Sequence, residues 1–355
     1  MKVLEHMERY GFEELAVGTD QAVGLRAFIA IHDTTLGPSC GGVRIWPFTT
    51  EDEAVADVLR LARAMTYKSA AAGLHLGGGK GLIMADPHTG KSEALLRAYG
   101  RFVDSLGGRY VTTEDVGCEP RDLEFIAQET RHVVGLPTSM GGSGDSSVMT
   151  GYGVYLGMKA AAKAVWGADS LSGKSIAMQG FGKVGSHTAE HLLKEGARLI
   201  VADVYEGAVA AARKLGAEVV APDSIYGVEC DVFSPCALGG VLNGETIPRL
   251  RCKVVAGGAN NQLAAPADAE SLERRGILYA PDFIVNAGGI INVSCEVGAP
   301  YSLQRARELT ERIYVTTERV IQMARKEEIT TAAAADRLAE ERLNAVRKVR
   351  KTYRG

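Results

Sequence analysis

Apolar positions recur along the chain at two alternating periods, one helical and one of short continuous runs, and this alternation predicts layered α/β structure. A helix is expected over Met7 to Leu15, followed by an apolar strand from Leu25 to His32. Asp52 to Tyr67 carries Val55, Val58, Leu59, Ala62 and Met65 at helical spacing. A glycine-rich segment, Leu74 to Gly81, leads into the strand Leu82-Ile83-Met84, and the amphipathic stretch Ser92 to Leu106 precedes the strand Arg109 to Thr112. Ser139 to Ser147 is polar and rich in glycine and reads as a hinge loop. From Thr150 a small-residue helix runs to about Val165, and the pattern then restarts as strand, glycine turn, helix and strand. The reading is therefore an N-terminal α/β substrate domain over 1–148 and a second α/β domain over 149–328, with the site expected in a cleft between them. The charged helices of 329–355 are expected to pack back on the first domain. No repeat at solenoid periods is present.

The length of 355 residues agrees with two domains, and 46% apolar residues suffice for sizeable cores. A formal charge of -3 argues against nucleic-acid or membrane-surface partners. No apolar run reaches the roughly 18 residues of a membrane span, and the first residues lack a signal-peptide apolar core, so a cytoplasmic protein is expected. Six cysteines, at 40, 118, 230, 236, 252 and 295, form no CxxC pair and read as reduced thiols. No metal is expected: His187 and His191 are four apart on a helix but have no third ligand. The basic run Arg347-Lys348-Val349-Arg350-Lys351 reads as a solvated helix end.

The strand Ser175 to Gln179 is followed at once by Gly180-Phe181-Gly182-Lys183-Val184-Gly185, then a helical run to Glu195, then the buried strand Leu199 to Asp203. This is GxGxxG between a strand and a helix, with an acidic residue about 20 positions on, the context of a Rossmann dinucleotide site. Glycines allow the tight turn and let backbone N–H groups reach a pyrophosphate at the helix N-terminus. Asp203 would accept from ribose hydroxyls and repel a 2'-phosphate, which favours NAD over NADP, although Lys183 in the loop adds a positive charge. Asn260-Asn261 and Asn286 follow apolar runs and suit contacts to a carboxamide, though spacing alone favours a turn former at each.

Lys68 and Lys80 bracket a small-residue segment, and Asp115 follows in Thr113-Glu114-Asp115-Val116-Gly117. A lysine in a closed site beside a second ammonium can lose its proton and act as a base, while the other holds a carboxylate. Three glycines before Lys80 clear side chains from a ligand's path. The chain resembles the glutamate/leucine/phenylalanine/valine dehydrogenase family over nearly its full length, most closely its leucine-oxidising branch. The resemblance rests on Pro38 to Arg44, Met65 to Lys68, Gly77 to Gly81, Thr113 to Gly117, Tyr226 to Asp231, Pro235 to Gly240, Ala259 to Leu263 and Tyr279 to Asp282. It implies that Lys68, helped by backbone near Gly41 and Gly42, binds the substrate α-carboxylate. It implies that Lys80 activates water, that Asp115 shuttles protons at the amino nitrogen, and that Gly180 to Gly185, Asp203, Thr150 and Asn261 hold NAD. It also implies a homo-oligomer, commonly an octamer in that branch, and closure about residues 139–149.

In the glutamate-oxidising members a lysine at the position of Cys40 grips the side-chain carboxylate; Cys40 cannot, so an apolar L-amino acid is implied. Met65, Cys40, Thr113, Ile290 and Val293 are expected to line the side-chain pocket, with branched-chain amino acids favoured and phenylalanine as the alternative. Two rivals predict other residues. A 2-hydroxy-acid dehydrogenase needs a His/Arg pair, and an NAD-sensing protein without catalysis predicts a degraded lysine site.

Overall fold

The computed structural model describes residues 2–349. These divide into two compact units: one runs to Asp145 and takes in Val293–Leu303 and the chain from Ala339, the other comprises Ser146–Asn292 and Gln304–Leu338. Val293–Leu303, which the sequence pattern assigns to the second domain, thus clusters with the first.

The first unit is built from α1 (Val3–Tyr10), β1 (Glu14–Asp20), β2 (Leu25–Asp33), β3 (Ser39–Ile45), α2 (Glu51–Ala71), β4 (Gly77–Ile83), α3 (Glu93–Ser105), β5 (Tyr110–Glu114) and α4 (Pro120–Ile126). Its sheet has the order β1-β2-β4-β3-β5; β3, β4 and β5 run parallel, while β2 is antiparallel to β1 and β4. On one face Phe28, Ala30 and Leu82 pack against Val55, Val58, Leu59 and Ala62 of α2. On the other, Val43, Ile45, Ile83 and Tyr110 pack against α3 and α4 through Leu96, Tyr99, Val103, Leu123 and Ile126. A capping box starts α2: the Thr50 hydroxyl accepts from Glu53 N–H and the Glu53 carboxylate accepts from Thr50 N–H.

Two sequence expectations change here. The first helix ends at Tyr10, with Gly11 in the left-handed region at φ 74°, and Leu15 belongs to β1. That edge strand buries only Gly18, so it shows little apolar alternation. The glycine run Gly77 to Gly81 is itself part of the strand β4, where the pattern suggested a segment leading into a strand that begins at Leu82. Close packing explains the glycines. A Cβ at Gly78 would lie 2.1 Å from the Thr66 backbone nitrogen, and one at Gly41 would lie 1.9 Å from the Gly79 carbonyl oxygen.

The second unit contains α5 (Ser147–Trp166), β6 (Ser175–Gln179), α6 (Lys183–Glu195), β7 (Arg198–Ala202), α7 (Glu206–Lys214), β8 (Glu218–Val219), β9 (Val232–Pro235), β10 (Val254–Val255), α8 (Ala267–Arg274), β11 (Leu278–Tyr279) and α9 (Asp282–Val285). Next come α10 (Gly288–Ser294), α11 (Leu303–Glu327) and α12 (Thr331–Arg347), of which α10 passes into the first unit at Val293 and α12 at Ala339. Its six strands are all parallel in the order β8-β7-β6-β9-β10-β11, the doubly wound order of dinucleotide-binding sheets.

The last helices do not pack on the first unit alone. Thr331 donates its hydroxyl to the Tyr279 carbonyl at 2.6 Å in the second unit, whereas Arg342 donates to the carbonyls of Ala70 and Leu74, at 2.9 and 2.7 Å, closing the end of α2. Of the basic run, Arg350 and Lys351 lie outside the described residues.

Candidate active site

In the first unit, strand register assembles the site. Pairings Ala30↔Lys80, Cys40↔Gly78, Arg44↔Leu82 and Gly42↔Thr113 put Cys40, Gly42, Arg44, Lys80 and Thr113 on the face that α2 covers. Lys80 thus continues the buried row of Phe28, Ala30 and Leu82 with an ammonium, and the residue is 4% exposed. Its Nζ lies 2.9 Å from Asp115 Oδ1. Asp115 follows β5, and its Oδ2 accepts from Arg44 Nε at 2.9 Å; Arg44 Nη1 reaches Asp57 Oδ2 on α2 at 2.8 Å. Burial raises the Asp115 carboxyl, but Lys80 and then Arg44 outweigh it and hold the group below the ordinary carboxylate range. The residues alone suggested a second ammonium as the partner of Lys80; the structure pairs it with a carboxylate that also binds a guanidinium.

Lys68 stands in the last turn of α2, half-buried, and Met65 lies one turn earlier. A Cβ on Gly41 would come within 3.5 Å of Met65 Cγ, and one on Gly42 within 2.8 Å of Asp115 Cβ, so these two glycines leave room between strand and helix. Cys40 is fully buried, and burial, opposed by Lys80 and reinforced by Glu296, pushes its thiol up to about 12. It is therefore a neutral wall. Gly135, at φ 83°, brings neighbours together: a Cβ there would meet Thr113 Oγ1 at 2.6 Å and Val293 Cγ1 at 3.6 Å. Thr113 is 7% exposed, and its hydroxyl has no hydrogen-bond partner among the described residues. Ile290 is buried in the second unit, apart from this group in the division of the chain.

In the second unit, the loop after β6 has the form a pyrophosphate needs. Gly180 takes φ 95°, where a Cβ would lie 2.7 Å from Ala237, and Gly185 packs so that a Cβ would lie 2.6 Å from the Gly180 carbonyl oxygen. Nothing lies within 4 Å of a Cβ at Gly182, the N-cap of the 13-residue α6, so the N–H groups of Lys183 and Val184 open the helix unobstructed. Asp203, after β7, accepts from Phe181 N–H at 2.6 Å and from Tyr205 N–H at 2.9 Å, which ties the loop to the acidic residue. Thr150 donates to the Ser146 carbonyl at 2.9 Å and closely faces Gly289. Asn261 is exposed at φ 52°. Asn286 follows α9 and not a strand end: its Nδ2 donates to the Gly258 carbonyl and Asn260 Oδ1 at 3.1 and 2.9 Å. The buried Oδ1 of Asn286 and Oε1 of Gln179 have no partner among the described residues, so acceptors are left over for a polar ligand. These features fit a dinucleotide.

Residues 13–132 match the model of the Glu/Leu/Phe/Val dehydrogenase dimerisation domain, and residues 141–221 and 205–351 match that of Glutamate/Leucine/Phenylalanine/Valine dehydrogenase. The chain belongs to this family. Leucine dehydrogenase of Geobacillus stearothermophilus is 51% identical over 99% of this chain and 96% of its own. Valine dehydrogenase of Streptomyces albus is 49% identical over 98% and 96%. The crystal structure of L-tryptophan dehydrogenase from Nostoc punctiforme superposes with a TM-score of 0.85 at 42% identity, covering 97% of this chain and 99% of that one. The family assignment and the two-domain α/β fold with a Rossmann-like unit agree with the sequence reading.

As an amino-acid dehydrogenase of the Glu/Leu/Phe/Val family, the chain carries polar residues that spacing did not single out. Arg44 and Asp57 are far apart in sequence from Asp115 and meet it only through register and the α2 cover. Glu296 Oε1 accepts from Gly135 N–H at 2.9 Å and Ser143 N–H at 2.8 Å, which fixes the loop beside Thr113 and Val293. Gln262 donates to the carbonyls of Gly257 and Ala259, shaping the turn that presents Asn261.

Proposed function

We propose that this enzyme catalyses the reversible, NAD-dependent oxidative deamination of a branched-chain L-amino acid, leucine-like, to the 2-oxo acid and ammonia. The observation that carries the reading is Lys80, an almost fully buried lysine on a glycine strand, held at 2.9 Å by Asp115 on the sheet face that also carries the neutral thiol of Cys40. Lys68 and the backbone near Gly41 and Gly42 bind the substrate α-carboxylate. Asp115, kept ionised by Lys80 and Arg44, accepts a proton from the substrate ammonium. NAD, held by Gly180 to Gly185, Asp203, Thr150, Asn261 and Asn286, supplies the hydride acceptor. Once its own proton has passed through the paired Asp115 carboxylate to solvent, Lys80 as the neutral amine takes the proton of the water that adds to the iminium carbon, and Asp115, protonated by the substrate ammonium, returns that proton to nitrogen as ammonia leaves. Cys40, Met65, Thr113, Val293 and Ile290 form the side-chain pocket, and burying a carboxylate against them without a partner would be costly.

The carboxylate of Asp203 supports NAD over NADP, because a 2'-phosphate beside it would meet like charge. A homo-oligomer, octameric as in the leucine-oxidising branch, and a cytoplasmic location complete the proposal. Among the described residues no helix is long and apolar enough to cross a membrane. The test is NADH formation at alkaline pH with leucine, valine, isoleucine, phenylalanine, tryptophan and glutamate, each with NAD and with NADP. Turnover led by the branched-chain substrates with NAD supports the reading. Preference for an aromatic substrate would overturn the pocket assignment, and absence of turnover in folded protein that binds NAD would overturn the enzyme.

A further inference from the structure

Cys230 and Cys252 stand opposite each other where the chain enters β9 and β10. The bridge Glu229↔Arg251 and the pair Val232↔Val254 share one offset, which aligns Cys230 with Cys252, and Cys230 N–H donates to the Arg251 carbonyl at 3.2 Å. Facing residues on neighbouring strands are about 4.8 Å apart, within the Cα separation a disulfide spans. Both side chains lie on one face of the sheet, in the cluster of Ile225, Phe233, Leu250 and Val255, near enough for each thiol to shift the titration of the other. Cys252 is 8% exposed and Cys230 half-buried, so Cys230 is the more exposed member of the pair.

We propose that Cys230 and Cys252 form a reversible, peroxide-oxidised dithiol site that staples β9 to β10. The chemistry around the pair is unequal. The interaction of the two thiols lowers Cys252 and raises Cys230; backbone near Phe233 and Val254 and the guanidinium of Arg275 further favour the Cys252 thiolate against its burial. Arg275 is itself fixed by the carbonyls of Ile247 and Leu250. The Cys252 thiolate attacks one oxygen of a hydroperoxide, the O–O bond breaks, and the leaving oxygen departs as water or alcohol after taking a proton. Cys230 then gives up its proton and attacks the Cys252 sulfenic sulfur, and water leaves as the S–S bond forms. Two thiols are oxidised by two electrons and one peroxide is reduced.

The staple closes the segment that contains β9 and the turn at Ala237 packed against Gly180, yet it sits at the strands' N-terminal ends, opposite the glycine loop at the C-terminal end of β6. Oxidation is therefore expected to stiffen this arm without removing turnover. The experiment treats the whole enzyme with stoichiometric hydrogen peroxide and maps disulfides after tryptic digestion. The expected product joins the dipeptide Cys252-Lys253 to the 215–249 peptide through Cys230, and fragmentation separates Cys230 from Cys236. Two of the six thiols are lost and dithiothreitol restores them. Closing a loop of about 20 residues raises Tm by roughly 5–10 °C, reversibly. Cys230→Ser and Cys252→Ser each abolish the linked peptide and the Tm rise. Six surviving thiols, a linkage through Cys236, or oxidation of Cys252 only to sulfinic acid in the native enzyme would each overturn the proposal, and none depends on the variants folding.

Discussion

Replacing Lys80 by methionine and replacing Asp115 by asparagine remove opposite ends of one 2.9 Å ion pair, yet the structure assigns them unequal costs. After Lys80→Met, Asp115 keeps Arg44 Nε at 2.9 Å and a side chain 22% exposed, so its charge is neither unpaired nor fully desolvated. Methionine also fills a row otherwise made of Phe28, Ala30 and Leu82. The expected loss is about 1 kcal/mol, the scale of one net hydrogen bond. After Asp115→Asn, the ammonium of Lys80, with its side chain 5% exposed, loses the carboxylate; stranding one partner of a buried pair costs about 3–5 kcal/mol, and the amide oxygen still accepting places this case near 3. At matched protein concentration, Asp115→Asn should lower Tm by roughly 6–10 °C and Lys80→Met by roughly 2–4 °C. Both should lose about 100-fold or more in kcat, the scale of general acid–base catalysis. Because the Asp115 carboxyl is lowered in the fold, its stabilisation is complete above the unfolded value of 3.8 and is lost as pH falls through the folded value. The stability gap between wild type and Lys80→Met should narrow there. Lys80→Met destabilising as much as Asp115→Asn would refute the claim that Arg44 holds the carboxylate independently.

Thr113→Val keeps the shape of the side chain and removes a buried hydroxyl without a partner, so chemical unfolding should show a gain of about 1 kcal/mol and kcat/KM for leucine should rise. Asp203→Asn should raise KM for NAD several-fold without giving efficient use of NADP, because Asp203 also holds Phe181 N–H, as parallel assays with both cofactors will show. His32 is buried between Thr66 Oγ1 and the Tyr10 carbonyl, and burial lowers it below 6.5. The unfolded chain therefore takes up the proton first, and unfolding titrations should show stability falling as pH drops below 6.5, a slope that His32→Gln removes.

The second unit was legible in the sequence because its devices are local: β6, the glycine turn and α6 follow one another within about 20 residues, and each glycine answers a need of that turn. The first unit was less so. Its two central strands, β3 and β4, carry glycines where strands usually carry β-branched residues, and the benefit of those glycines lies in what packs on them. Thr66 against Gly78, Gly79 against Gly41 and Tyr99 against Gly81 are contacts between distant positions, invisible to periodicity. The same holds for the site. Lys68, Lys80 and Asp115 drew attention as residue types, but Arg44, Asp57 and Glu296 gain meaning only from strand register and the course of α2 and the chain at 293–303.

Charge around Lys80 alternates along a single line. Lys80 meets Asp115, Asp115 meets Arg44, Arg44 meets Asp57 at 2.8 Å, and Asp57 meets Arg60 at 2.7 Å. Side-chain exposure along this line goes from 5% at Lys80 to 52% at Arg60, so the buried end is tied to solvent through alternating partners. An ammonium on an interior strand would by itself be strongly disfavoured. Here each member offsets the burial of the next, and only the first two need touch a substrate. The line also sets the state of Asp115: with cations on both oxygens it stays ionised, able to take a proton from an ammonium and slow to keep it. Removing Arg44 should therefore alter catalysis through Asp115 while leaving Lys80 paired, so in a double-mutant cycle Arg44→Gln and Asp115→Asn should couple by about 1–3 kcal/mol in kcat/KM. Simple additivity of the two would mean that the guanidinium packs against the site without tuning it.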